Sequence, residues 1–302
     1  MKVGFKTSTD MEEKYIVWHI EGGLGKNIAA TSLIQDVSEK YPDRKLIMIV
    51  SYPEIFLNNP YIHRVYPVSN TMYFYDDYIK DKDTIIFRHE PYFQSDHITR
   101  KKHLISNWCD LLGIEYKNQL PLLHPNAIQK NLMYNWARDK PIMVIQTNGG
   151  PINNPNRYSW TRDIPYNVSL SLANHYNSQY HIIQVCGNNS VLIPGVEHVN
   201  QPTSNFELFS ILAVSTKRVL IDSSLQHAAA GMGLPSTVLW VGTSPNNFGY
   251  GMHKNVIANK PDGNTKLINS YFFDYSFSGE VIECPYNNLD NIFDIKEIIK
   301  NI

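Results

Sequence analysis

The stretch Leu208–Gly249, LFSILAVSTKRVLIDSSLQHAAAGMGLPSTVLWVGTSPNNFG, decides the fold class. A helical pattern over Phe206–Ser215 gives way to the short apolar run Arg218–Ile221. A second helix of small residues follows over Ser223–Met232, stopped by Gly233 and Pro235. Thr237–Val241 then reads as a strand ending at Gly242-Thr243. Short apolar strands alternating with helices are the pattern of a parallel sheet in an α/β domain.

The same alternation extends in both directions. Upstream, Ile142–Gln146 and His181–Val185 read as strands and Tyr166–Tyr176 as a helix; downstream, Leu289–Ile302 reads as a last amphipathic helix. Further upstream the pattern occurs a second time. Strands are expected at Tyr15–Ile20, Leu46–Val50, Arg64–Tyr66 and Thr84–Phe87, and helices at Ile28–Lys40 and Lys101–Leu112. The stretch Leu120–Lys140 is amphipathic and ends at Pro141, which places a boundary near Lys140. Residues 1–140 and 141–302 are thus expected to form two Rossmann-like domains facing a cleft. Ligands in such sheets lie beyond the carboxyl ends of the strands.

Composition narrows the function classes. In 302 residues, 43% are hydrophobic, enough to bury a core, so wholesale disorder is excluded. The 27 basic side chains nearly balance 28 acidic ones, which excludes a strongly basic nucleic-acid binder or a polybasic membrane anchor. The three cysteines, Cys109, Cys186 and Cys284, are far apart and in no metal-ligand or redox spacing. The first residues, MKVGFKTSTDMEEKY, resemble no secretory signal or transit peptide. No apolar run approaches the roughly 18–20 residues that span a bilayer. A soluble, cytoplasmic protein without a bound metal is expected.

Unusual residues cluster where the strands end. Glu21-Gly22-Gly23-Leu24-Gly25-Lys26-Asn27 lies between a strand and a helix, where glycines let a backbone approach a ligand. It is not a Walker A loop, because Ile20 stands six residues before Lys26 and Asn27 replaces the hydroxyl residue. Nor is it a dinucleotide fingerprint, because Ile28 occupies the third glycine position. A tight turn would use the same glycines.

Asp222-Ser223-Ser224 precedes a helix carrying His227, so Ser223 and His227 share one helix face. Helix capping alone would also explain Asp222 and its serines. Gln146-Thr147-Asn148-Gly149-Gly150 ends another strand, and Arg157 follows; Thr147 and the glycine amides suit phosphate oxygens, and Arg157 suits a bidentate clamp. After a further strand, His89 and Glu90 stand at a rim where general bases often lie, although a surface pair reads the same way.

These phrases together resemble the ADP-heptose:lipopolysaccharide heptosyltransferase family. GGLGKNIAATSLIQDVSEKYPDRKLIMIV (22–50) is similar to its glycine loop, first helix and second strand, and NNPYIHRVYPV (58–68) to the stretch that follows. RYSWTRDIPY (157–166) resembles its basic phrase with Trp, and Leu208–Gly249 resembles its donor-binding phrase most specifically. The resemblance implies the GT-B architecture of two Rossmann-like domains. It further implies an inverting, metal-independent transfer from a nucleoside-diphosphate sugar, used as co-substrate with no cofactor, to a hydroxyl acceptor. Donor contacts would fall on Thr147, Asn148, Gly149, Arg157, Asp222, Ser223, Ser224 and His227. Gly22, Gly23, Gly25, Lys26 and Asn27 would form a phosphate or acceptor loop.

Two positions depart from the family pattern. The family's proposed base, an Asp after the third glycine, is Lys26 here, and the Asp-Ser-Gly motif has become Asp222-Ser223-Ser224. An ammonium cannot take the acceptor proton at its ordinary pKa. The base is then expected at Glu21, His89 or Glu90. The acceptor is expected to be a saccharide or glycolipid. A hydroxymethylated DNA base would fit a bacteriophage-encoded chain, though the near-neutral charge disfavours nucleic acid. The other reading is a non-catalytic nucleotide-sugar binder or assembly protein on the same fold.

Overall fold

A computed structural model describes residues 13–132, 136, 138–155, 158–260, 284 and 286–302. Among them the chain runs through β1 (Lys14–Ile20), α1 (Leu24–Ala30), α2 (Ile34–Lys40), β2 (Lys45–Val50), β3 (Ile62–Pro67), α3 (Phe74–Tyr78), β4 (Asp83–Phe87), α4 (Ser95–Ile98), α5 (Leu104–Leu112) and α6 (Ala127–Asn131). It continues through β5 (Ile142–Gln146), α7 (Tyr166–Tyr176), β6 (His181–Val185), β7 (Glu197–Val199), α8 (Asn205–Val214), β8 (Ser215–Ile221), α9 (Ser224–Gly231), β9 (Thr237–Trp240), α10 (Pro245–Phe248), β10 (Lys254–Ile257) and α11 (Ile295–Asn301).

The strands form two sheets, ordered β3-β2-β1-β4 and β10-β9-β8-β5-β6-β7, and every pairing is parallel. Burial on both faces explains the unbroken apolar runs: Tyr15, Ile16, Val17 and Trp18 of β1 are all buried, and so are all five residues of β5. In the first sheet the chain moves from β1 to β2 and β3, then returns to place β4 on the other side of β1. In the second it moves from β5 to β6 and β7, then returns to place β8 beside β5. Each sheet therefore has one topological switch point, where the loops after neighbouring strands diverge and leave a crevice.

Several elements differ from the sequence reading, each for a local reason. The first helix begins at Leu24, inside the glycine loop, and is interrupted by a 3-10 turn over Thr31–Leu33. There Thr31 and Ser32 turn their hydroxyls onto the carbonyls of Ile28 and Ala29, at 2.6 and 2.7 Å, which competes with regular α bonding. The helix expected over Lys101–Leu112 starts at Leu104, because His103 Nδ1 accepts the Ile105 N–H and caps it. The C-terminal helix is shortened to Ile295–Asn301, with Asp294 as its N-cap. The short strands β7 and β10 were not anticipated, being too brief for an apolar pattern.

One apolar core runs through both halves. It joins Trp18, Met48 and Trp108 of the first to Val144, Leu220 and Trp240 of the second, through α1 and α9. That helix pair is built from small buried residues: Ala29 and Ala30 on one side, Ala228, Ala229 and Ala230 on the other. Backbones approach so closely that a Cβ on Gly25 would stand 2.8 Å from His227 Cδ2. Polar contacts add to the join. Asn205 donates to Glu54 at 2.6 Å, Arg100 to the Gly242 carbonyl at 2.9 Å, and Asn247 to the His97 carbonyl at 2.8 Å.

Gly25→Ala therefore overpacks a seam whose opposing ring cannot move aside. The expected loss is about 1–3 kcal/mol by denaturant unfolding. Gly251→Ala, where nothing lies within 4 Å of the added carbon, is the control and should stay within about 0.5 kcal/mol.

Candidate active site

Both switch points open on one cleft of about 490 Å³ between the sheets. From the first half it is lined by Gly23, Leu24, Gly25, Lys26, Tyr52 and Tyr92. From the second half come Gln146, Asn148, Gly150, Arg162, Cys186, Asp222, Ser223, Ser224 and His227, among others.

The loop after β1 reaches the cleft through a left-handed Gly22, with φ of 108°. An L side chain there would be strained. Its N–H donates to Ser51 Oγ at 3.2 Å. Asn27 is fully buried and its amide donates to the Gly22 and Gly23 carbonyls, at 3.3 and 3.0 Å. Asn27 thus closes the loop and does not face the cleft. Lys26 does face it, yet only 4% of its side chain is exposed. Its ammonium lies 2.5 Å from Glu90 Oε2 and 5.0 Å above the Tyr92 ring. A buried ammonium without such a partner would cost several kcal/mol.

After β5, the loop is organised by a residue the sequence reading passed over. Asp163 is buried and accepts from Asn148 Nδ2 at 2.9 Å, the Gly149 N–H at 3.0 Å and the Ser159 N–H at 2.7 Å. Burial pushes its carboxyl above the usual range, against the pull of those donors. The Thr147 hydroxyl donates to Asn148 Oδ1 at 2.8 Å and accepts from Gln184 at 2.9 Å. Thr147 and the Gly149 N–H are therefore occupied within the loop, while Asn148 and Gly150 reach the cleft. Arg157 lies outside the described residues. Arg162 lines the cleft. In the sequence Arg162 and Asp163 both belong to the phrase RYSWTRDIPY, as the charged pair just ahead of Pro165.

Beyond β8, Asp222 is buried and Ser223 is the N-cap of α9, with φ −156° and ψ 177° and no side-chain capping bond. Asp222 stands one residue before the cap. Burial raises its carboxyl pKa, opposed by Arg162 and the Thr243 hydroxyl beside it. Ser223 and His227 share the cleft wall, as expected from their spacing, and Ser224 lines it with them. His227 is pinned at both nitrogens, Nδ1 2.7 Å from the Tyr250 hydroxyl and Nε2 3.1 Å from Gln226. Burial lowers its pKa to about 3, so it is a neutral imidazole at physiological pH. His97 is similarly enclosed, stacked on Tyr92 at 5.1 Å and edge-on to Phe248 at 5.3 Å, with its pKa lowered to about 4 by burial.

The three expected bases lie apart. Glu21 sits on an exposed rim with Arg88 at 2.8 Å and His19 at 3.0 Å. His89 is exposed, its ring 5.7 Å from Phe87. Glu90 is held at Lys26. None of the three lines the cleft itself. Among the described residues, no group of three His, Cys, Asp or Glu side chains is placed to hold a metal ion, and no helix is long and apolar enough to cross a membrane.

No family model and no curated protein matches this sequence. Solved structures do match it. The iron-containing dodecameric glycosyltransferase TibC from enterotoxigenic E. coli superposes with a TM-score of 0.66 at 16% identity, over 96% of this chain and 79% of that one. A family 9 glycosyltransferase from Veillonella parvula gives 0.63 at 12% identity, over 97% of both chains. ADP-heptose lipopolysaccharide heptosyltransferase II of E. coli gives 0.61 at 11% identity, over 82% of this chain and 91% of that one. The chain therefore has the fold of these GT-B glycosyltransferases, as the sequence phrases implied.

Two outcomes follow from the buried polar groups. Asp163→Ala removes the acceptor shared by three N–H donors and should cost more than about 2 kcal/mol in denaturant unfolding. The histidines set an acid limit. His97 and His227 titrate near 6.5 when unfolded and at about 4 and about 3 when folded. Their stabilising effect is therefore complete above pH 6.5 and lost as pH falls toward those folded values. Within that window each should remove up to about 1.4 kcal/mol per pH unit. Unfolding curves at pH 7, 6 and 5 measure the slope, which should shrink in His97→Gln.

Proposed function

We propose that the chain is an inverting, metal-independent glycosyltransferase. It would move a sugar from a nucleoside-diphosphate donor to a hydroxyl on a saccharide or glycolipid. The observation that carries this reading is the meeting of two switch points on one cleft. The second sheet presents Asp222, Ser223, Ser224, Asn148 and Arg162, and the first presents Lys26. The cleft volume lies within the roughly 300–1,000 Å³ of small-molecule sites. The heptosyltransferase TibC has been solved in complex with ADP-D-β-D-heptose, a donor of this class.

In this reading the donor lies against the loops after β5 and β8. Hydroxyls, amides and Arg162 meet the charge that develops on the departing diphosphate. Fixed donors of this kind are worth about 3 kcal/mol each when removed. The acceptor enters from the first sheet and attacks the anomeric carbon opposite the leaving group, which inverts it. Glu21, His89 and Glu90 are the candidate bases. His227, neutral and pinned, sets the spacing of α1 and α9 at the cleft floor and takes no proton. The second reading, a nucleotide-sugar binder without transfer, draws on the ion-paired Lys26 at the loop position where a carboxylate base would serve.

Thermal shifts with UDP, ADP, GDP, CDP and dTDP test the donor site. At a concentration about 100 times its dissociation constant, the matching nucleotide should stabilise by ~2.7 kcal/mol. Asp222→Ala should weaken that nucleotide about tenfold, a change of about 1.4 kcal/mol. No shift with any nucleotide sinks both readings. Binding without release of nucleoside diphosphate from the sugar donor selects the second.

A further inference from the structure

The first sheet's switch point lies between β1 and β4, and one charge pair bridges it. Lys26 follows β1 and Glu90 follows β4, sixty-four positions later, with Nζ 2.5 Å from Oε2. The lysine stem folds back over Gly22, where a Cβ would stand 3.2 Å from Lys26 Cδ. Its ammonium is capped below by the Tyr92 ring at 5.0 Å. The pair is thus fixed from three sides. Glu90 differs from its partner in exposure: 35% of its side chain is open, against 4% for Lys26. Its second oxygen, Oε1, accepts the Tyr92 N–H at 3.3 Å. The two residues that hold Glu90, Lys26 and Tyr92, both line the cleft.

Resting on the glycosyltransferase reading, we propose that Glu90 is the general base of the transfer and that Lys26 is the positioning residue that aims it. Of the two rival candidates, one is engaged on the rim and the other is exposed. The Glu21 carboxylate is held by Arg88 and His19 on the rim, and His89 is exposed against Phe87. Asp222, the one carboxylate among the described lining residues, is buried on the opposite wall, with Arg162 and Thr243 beside it. In the step, the acceptor hydroxyl proton passes to Glu90 Oε1 as the acceptor oxygen bonds to the anomeric carbon. The anomeric C–O bond to the diphosphate breaks, and its electron pair leaves with the diphosphate. Glu90 then returns the proton to water through its exposed side.

The experiment takes the nucleotide sugar selected by the thermal-shift panel. It measures nucleoside diphosphate release with water and with mono- and disaccharides as acceptors. Glu90→Gln should lower kcat at least about 100-fold, the usual range for a lost general base. Nucleotide affinity should stay within about twofold, since Glu90 is not part of the wall formed by the loops after β5 and β8. Lys26→Met should lower kcat about tenfold with the same affinity, and Lys26→Arg should restore most of it. Wild-type kcat in Glu90→Gln overturns the assignment, as does a nucleotide affinity that falls as far as kcat. A wild-type protein that binds the donor but never releases nucleoside diphosphate also overturns it. A wild-type protein that binds no nucleotide overturns the glycosyltransferase reading instead.

Discussion

The contact between Gly25 of α1 and the His227 ring of α9 holds the two halves at a fixed spacing. The helices that follow β1 and β8 meet there side by side, and each begins at the cleft wall. Close approach demands small residues, which is why alanines and glycines fill both helices. It also demands that the opposing ring stay in place. Tyr250 and Gln226 hold it there, and burial keeps it uncharged. The cleft is the space left beside this seam.

Charge in the cleft is arranged by pairing. The ammonium of Lys26 is almost fully removed from water and is matched by a carboxylate and an aromatic face. Asp163 is matched by three N–H donors, and Asp222 feels the charge of Arg162, which does not outweigh its burial. Burial keeps His97 and His227 neutral at physiological pH. This division separates the polar groups into two kinds. Thr147, Gly149, Asn27 and Asp163 spend their hydrogen bonds on the loops themselves. Asn148, itself bonded to Asp163 and Thr147, lines the cleft together with Arg162, Ser223 and Ser224.

Most of the strands and the larger helices were legible in the chain, because a parallel sheet buried on both faces writes continuous apolar runs. What went unread was short or local. β7 and β10 are too brief to carry a pattern. The break at Thr31–Leu33 comes from hydroxyls bonding back to carbonyls, which a hydrophobic period does not reveal. In the site, the spacing of Ser223 and His227 was enough to put both on one wall. Residue type alone suggested Thr147 as a phosphate ligand; only the fold shows its hydroxyl bonded between Gln184 and Asn148.

The sequence by itself determined the alternation of strands and helices and the cluster of chemical residues at strand ends. Those follow from local periodicity and from glycine and capping chemistry, which act over a few residues. The tertiary structure decided which residues meet. Lys26 and Glu90 stand together because β4 returns to the far side of β1, and no nearby signal records that return. Asp163 reaches back to Gly149 for the same kind of reason. Pairing across a sheet depends on strand order, and strand order is a property of the whole packed core.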